Sequence, residues 1–244
     1  HNAVRCKSGS VFLYKVFTGG SMKLRHELKL AINEGDRIIL KQRLKAVANL
    51  DEHVCADGMY KVRSLYFDNF FDKALREKID GVDGREKFRL RCYNGNPSLV
   101  FLEKKSKTSG LCLKRQTRLH KDEVQCILDG NCAFLLDGDQ LQQELYAKLK
   151  TQQLRPRVIV DYLREPYVYA PGNVRVTIDS DIRTGLYSRS FFDAELPTVH
   201  AGDTPYLLEV KFDEFLPDVI LDALQIGSRR ASAFSKYAAS RMFG

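Results

Sequence analysis

Charge alternates with a period of two residues along segment after segment of this chain. Arg25, Glu27 and Lys29 occupy alternate positions, with Leu24, Leu28 and Leu30 on the other side. Lys87, Arg89, Arg91 and Tyr93 alternate with Phe88 and Leu90. Glu103, Lys105 and Lys107 repeat the pattern, as do Tyr162 and Arg164. Arg175, Thr177, Asp179, Asp181 and Arg183 share one face against Val174, Val176 and Ile178. Glu209 and Lys211 oppose Leu208, Val210 and Phe212. Period two is the signature of a β-strand, because successive side chains leave opposite faces. An apolar face asks for cover, and helices between the strands can supply it. If helices cover the outside of a closed antiparallel sheet, the charged faces point into its lumen. Charges there lose hydration unless something of opposite sign occupies the space.

A lumen rich in Lys and Arg therefore wants a polyanion, and Arg suits bidentate contact with phosphate oxygens. Glu27, Glu103, Asp179 and Glu209 could neutralise neighbouring cations or hold a divalent cation, since hard cations take carboxylate oxygens and bridge phosphates. The arrangement is a site for a nucleoside triphosphate or an oligophosphate with Mg²⁺ or Mn²⁺.

The remaining chain supplies the cover. Strands are predicted at Met22–Ala31, Tyr60–Asp68, Arg85–Tyr93, Leu99–Lys107, Leu111–Leu119, Arg157–Arg164, Val174–Arg183 and Tyr206–Phe212. Asn33 is an N-cap candidate for a helix to about Ala48, with Ile38, Ile39, Leu40, Leu44 and Val47 as its apolar positions. Asn69–Lys78 is polar-rich and forms a short helix or turn. Lys121–Gln153 reads as helix in two pieces, broken near Gly130 and Asp137-Gly138. Pro217–Phe243 reads as helix with a break at Gly227-Ser228. The whole is one α+β domain: a closed antiparallel β-barrel tunnel of about eight strands with helices packed outside.

Composition refines this. The 244 residues carry a net charge of +8, and 44% are hydrophobic, enough for a core. The run His1–Ser21 ends in Gly19-Gly20-Ser21 before Met22 and reads as a vector-derived tag, with residues 22–244 as the domain. Without its Arg5, Lys7 and Lys15, 36 basic residues face 31 acidic ones. Cys6, Cys55, Cys92, Cys112, Cys126 and Cys132 show no CxxC pair and no His at zinc spacing, which suits reduced thiols in a cytoplasmic protein. No run approaches the roughly 18 apolar residues of a membrane span. No Walker motif and no RNP-like aromatic strand is present, so a P-loop kinase and a nucleic-acid partner are disfavoured.

These motifs, in this order, resemble the triphosphate tunnel metalloenzymes, and within them the VTC domain of polyphosphate polymerases in its free-standing bacterial form. The matching elements are Arg25-x-Glu27-x-Lys29, Ser64-Leu65-Tyr66-Phe67-Asp68 and Arg85-x-Lys87-x-Arg89-x-Arg91-x-Tyr93. Glu103-x-Lys105-x-Lys107, Lys114-Arg115, Tyr162-x-Arg164-x-x-Tyr167 and Arg175-x-Thr177-x-Asp179 follow, then Glu209-x-Lys211 and Ser235-Lys236-Tyr237.

The resemblance implies ATP-dependent polyphosphate synthesis, in which the terminal phosphoryl of ATP passes to a growing phosphate chain and ADP leaves. It implies that Arg89, Arg91, Lys105, Lys114, Arg164, Arg175, Lys211 and Lys236 act on the phosphates. Lys29, Lys87, Lys107, Tyr66 and Ser235 join them in substrate binding. Glu209 is the first metal ligand for Mn²⁺ or Mg²⁺, with Glu27, Glu103 and Asp179 as further ligands. Ser235 and Lys236 close one mouth. ATP and inorganic polyphosphate are the partners; a membrane partner and the oligomeric state stay open. A tripolyphosphatase or nucleoside triphosphatase in the same tunnel, and a non-enzymatic polyphosphate-binding module, are the alternatives.

Overall fold

The computed structural model describes residues 12–18, 21–109, 111–186, 189–227 and 234–242. Cys6, Ser228 and Phe243, and the side chains of Arg25 and Cys112, lie outside the described residues. The chain order is β1 (Phe12–Thr18), β2 (Ser21–Ile32), α1 (Glu34–Val47), β3 (Asn49–Leu50), β4 (Tyr60–Asp68), α2 (Lys73–Ile79) and β5 (Arg85–Tyr93). Then come β6 (Val100–Thr108), β7 (Leu111–Leu119), α3 (Lys121–Asp129), a 3-10 turn at Ala133–Leu136 and α4 (Gln140–Thr151). The last elements are β8 (Arg155–Tyr169), β9 (Val174–Leu186), β10 (Val199–His200), β11 (Tyr206–Phe212), α5 (Asp218–Ala223) and α6 (Lys236–Met242).

Eight strands form one curled antiparallel sheet in the order β2-β11-β9-β8-β4-β5-β6-β7. The expected closure of that sheet does not occur: among the described residues β2 and β7 do not pair with each other, so the antiparallel sheet is open. β1 lies in the gap, antiparallel to β2 and parallel to β7. Parity explains the mixed pairing, because strands alternate direction around an antiparallel ring only when their number is even. A ninth strand forces one parallel neighbour. β1 falls inside the segment assigned from sequence to a tag, where no strand is predicted.

Helices cover the outer face as the apolar alternation requires. Leu65, Phe67, Phe88, Leu90, Leu102 and Ile159 pack against Val124, Ile127 and Leu128 of α3 and Leu141 and Leu145 of α4. On another side, Val174, Val176, Ile178, Leu208 and Val210 pack against Leu40 and Leu44 of α1 and Ile220 of α5. α1 starts at Asn33, whose side chain accepts from the Asp36 amide while Asp36 returns a bond to the Asn33 amide, a capping box. Gly130 ends α3 at φ 87°, a left-handed turn that suits glycine. Of the apolar positions of α1, Ile38 and Ile39 are 48% and 43% exposed. Leu40 and Leu44 occupy the inward stripe, and the adjacent isoleucines fall about 100° and 200° away from Leu40 at 3.6 residues per turn. No described helix is long and apolar enough to cross a membrane.

The inner face is not charged throughout. Tyr60, Val62 and Tyr66 of β4 meet Val158, Val160 and Tyr162 of β8, Ile182 of β9 and Leu207 of β11 inside the barrel. Asp181 and Arg183 were expected to continue the charged face of β9. Asp181 has φ 46°, and the β8–β9 register slips between Asp161 and Leu163. This bulge inverts the parity of all that follows. Ile182 therefore points inward, and Arg183 turns out to bond Thr198 and contact Asp181 and His200.

Candidate active site: a cation-lined cavity

A cavity of about 160 Å³ opens between the charged walls. Its lining among the described residues includes eleven cationic side chains: Lys29, Lys78, Arg85, Lys87, Arg89, Arg91, Lys105, Lys107, Arg164, Lys211 and Lys236. Only Glu86 and Glu209 answer them on the lining, and Glu86 is turned to Lys104 and Lys148. β2, β5, β6, β8 and β11 each contribute through alternation. α2 and α6 roof one end with Ala74, Lys78 and Lys236, and Phe234 and Ser235 join them.

Three acidic groups pair with this layer. Glu103, 1% exposed, receives Arg89 at 2.5 and 2.7 Å and Lys114 at 2.7 Å, with Arg91 at 3.8 Å. Asp179, fully buried, makes a bidentate pair with Arg164 at 2.6 and 2.7 Å and meets Lys236 at 2.6 Å. Glu27 and Glu209 form the third group. Glu209 takes Lys211 at 2.7 Å and Lys29 at 3.3 Å. Both carboxylate oxygens of Glu27 are buried without a hydrogen-bond partner, and Lys29 and Lys211 stand off at 3.5 and 3.6 Å. Tyrosines fix the arginines. Arg89 donates to the Tyr66 hydroxyl at 2.9 Å, and Arg91 to Tyr162 at 3.1 Å and to Ser64 at 3.1 Å.

The crowding shows in the proton equilibria. Burial, and then the adjacent Glu209, pushes the Glu27 carboxyl up. Burial pulls Lys87 down to about 8, helped by Lys105, Lys29 and Arg89. Lys114 likewise falls to about 8 through burial, with Arg89 and Arg91 adding to it against Glu103. Burial alone would raise Tyr66, but Arg89, Arg91 and Lys87 outweigh it and bring the phenol to about 7. Lys211 and Lys236 are lowered mainly by burial. The lysine and tyrosine shifts describe a cavity with excess positive charge and too little water, and the Glu27 shift a buried carboxyl beside a second one.

That charge predicts a pH dependence. As pH rises through 7 and 8, Tyr66 gains a negative charge and Lys87 and Lys114 lose positive ones. Tripolyphosphate affinity is expected to fall by about tenfold between pH 7 and pH 9. Binding at pH 8 should take up protons, because the anion restores the lysines. Calorimetry in buffers of different ionisation enthalpy measures that uptake, and Lys87→Gln should reduce it. A flat profile with no proton uptake would contradict the electrostatic picture.

The VTC domain family matches residues 24–243, nearly the whole chain. The chain belongs to the VTC domain family. Solved structures similar to it include a candidate adenylate cyclase from Bacillus halodurans, at 14% identity and TM-score 0.46 over 81% of this chain and 83% of that one. Another is the PH1819 protein from Pyrococcus horikoshii OT3, at 14% identity and TM-score 0.45 over 88% of this chain and 96% of that one. Among curated proteins none matches this chain.

The VTC domain brings most of its sequence-predicted residues together. Lys29, Tyr66, Lys87, Arg89, Arg91, Lys105, Lys107, Arg164, Glu209, Lys211, Ser235 and Lys236 line one cavity. Lys114 sits behind them on Glu103 and donates to Gln116 at 2.7 Å. Arg175 stands apart: it pairs with Asp51 at 2.8 Å and donates to Tyr60 at 2.9 Å, away from the cavity lining. Although it pairs with Lys211 in the β9–β11 register, Asp51 and Tyr60 draw its side chain off the lining. The four predicted metal ligands do not form one cluster; Glu27 and Glu209 meet, with Arg164 reaching Glu209 at 3.7 Å, while Glu103 and Asp179 are each hydrogen-bonded to an arginine of their own. No group of three or more His, Cys, Asp or Glu suited to a metal occurs among the described residues. The Glu27–Glu209 pair nevertheless fits a divalent cation, because Glu27 offers two unbonded oxygens and Mg²⁺ commonly takes one or two carboxylates plus substrate phosphates. Lys78 and Arg85 line the cavity without having been predicted. Arg85 opens the period-two row of β5 and was legible there; Lys78 comes from a helix whose docking leaves no sequence signal.

Proposed function

We propose that this VTC domain is an ATP-dependent polyphosphate polymerase. The observation that carries the reading is the cavity itself: eleven cationic side chains around the Glu27–Glu209 pair. The row Arg85, Lys87, Arg89 and Arg91 spans six residues of strand, about 20 Å at the usual rise. A row of that length suits a run of phosphates better than a single phosphoryl group, and so favours a site for donor and acceptor together.

Phosphoryl transfer asks for alignment and charge neutralisation more than for covalent chemistry. Arg89, Arg91 and Arg164, fixed by Glu103, Asp179, Tyr66 and Tyr162, would hold the phosphates at the reacting end. Lys29, Lys87, Lys105, Lys107 and Lys211 would hold the rest of the chain, with Lys114 compensating from behind. Glu27 and Glu209 would hold Mn²⁺ or Mg²⁺, which supplies charge neutralisation across phosphate oxygens when bound. Glu103 and Asp179 act as positioning carboxylates. ATP and inorganic polyphosphate are then the partners, in the cytoplasm.

The test is a product gel after incubation with ATP and Mn²⁺. The expected result is a ladder of polyphosphate chains. Free phosphate without chains would replace the polymerase with a triphosphatase. Tight polyphosphate binding without turnover would replace both with a binding module.

A further inference from the structure

α6 has seven residues, too few to hold a helix without tertiary contacts. Yet it fixes Lys236 in the cavity, 2.6 Å from Asp179 and 4.6 Å from the centre of the Tyr162 ring. The contacts that fix it converge on the connection between β4 and α2. The buried Tyr237 donates its hydroxyl to Asp68. Asp68 is itself held by the amides of Asn69, Ala74 and Leu75 at 2.9, 2.9 and 3.2 Å. One helical turn beyond Tyr237, Arg241 makes a bidentate pair with Asp72 at 2.7 and 3.0 Å. The Arg241 side chain is only 6% exposed, and Arg157 of β8 reaches the same carboxylate at 3.4 Å. Asp72 has φ 55° and ψ 41°, a left-handed conformation that a non-glycine residue keeps where its surroundings hold it.

We propose that Arg241 is a positioning residue for the cavity: by clasping Asp72 it holds α6 on α2 and so keeps Lys236 among the phosphate-binding cations. Arg241 does not line the cavity, so its effect on an anion passes through Lys236. The inference rests on the reading that phosphate chains occupy the cavity.

A double-mutant cycle on the full chain tests it, with tripolyphosphate affinity measured by calorimetry at pH 7. Arg241→Gln and Asp72→Asn should each weaken binding by about tenfold, the scale of one charge-assisted hydrogen bond. In a Lys236→Ala background, Arg241→Gln should add less than about twofold, because the group it positions is gone. Additive losses in the cycle, or unchanged affinity in Arg241→Gln, would overturn the proposal. If Arg241→Gln does not fold, Arg241→Lys takes its place in the same cycle. Wild-type protein that fails to bind tripolyphosphate would defeat the functional reading instead. The clasp is then judged by amide hydrogen exchange in α6, which Arg241→Gln should accelerate and which unchanged protection would refute.

Discussion

Glu209→Gln is expected to abolish metal-dependent turnover of ATP, by at least about a hundredfold in kcat. The same variant should bind tripolyphosphate without metal at least as tightly as the wild type. Both signs follow from one site. Glu209 is the carboxylate on the cavity lining that, with Glu27, can hold a divalent cation. It also neutralises Lys211 at 2.7 Å and Lys29 at 3.3 Å. Glutamine keeps the shape and removes the charge, so the cation loses a ligand while the lysines are freed for phosphate. Glu27→Gln should cause less metal-free change, because Glu27 makes only the longer contacts to Lys29 and Lys211, at 3.5 and 3.6 Å. Turnover on a product gel and metal-free calorimetry read the two quantities separately. Wild-type turnover in Glu209→Gln would remove the pair from the metal site. Loss of metal-free binding as well would mean that Glu209 supports the walls of the cavity and not the cation.

Much of this site was legible in the sequence because strand geometry is simple. With a period of two, the charged set of β5 or β11 reaches the same face wherever the strand stays regular. The outer cover followed from Phe88, Leu90, Val174, Val176 and Ile178 by the same rule. The misreadings have physical causes. One irregular residue, Asp181, inverts the parity of β9 and sends Arg183 out of the barrel. Arg175 lies on the right face, but its side chain is taken by Asp51 and Tyr60, partners that strand alternation does not reveal. Closure was expected from charged faces turned to one lumen, whereas β1 lies between the two ends of the antiparallel sheet. The acids were read as one cluster because alternation gives a face but not a partner. In space each carboxylate follows its nearest arginine or lysine: Glu103 takes Arg89, Asp179 takes Arg164 and Glu209 takes Lys211. The α2–α6 roof depends on contacts between residues 169 positions apart, which no local pattern encodes.

Glu103→Gln is expected to destabilise the ligand-free protein by about 3–5 kcal/mol, the range for breaking a buried ion pair from one side. For a chain of this size that lowers the melting temperature by roughly 6–20 °C. Glu103 is 1% exposed, and its removal strands Arg89, Arg91 and Lys114 in a wall that already carries excess positive charge. Burial alone would raise its pKa, but Arg89, Arg91 and Lys114 override burial and hold the carboxyl well below the ordinary 4.5. A depressed native pKa stabilises the fold at pH values above the unfolded one. The wild type should therefore keep this contribution down to about pH 4.5 and lose it only on further acidification, while the variant lacks it throughout. Tripolyphosphate should compensate in part, because phosphate oxygens can replace the missing carboxylate for Arg89 and Arg91, which line the cavity. At a hundred times its dissociation constant a ligand adds about 2.7 kcal/mol to the folded state. At one fixed tripolyphosphate concentration, the rise in melting temperature should thus be larger in Glu103→Gln than in the wild type. An equal or smaller rise would mean that the phosphates do not reach Arg89 and Arg91, and would move the bound chain toward the other cations of the lining.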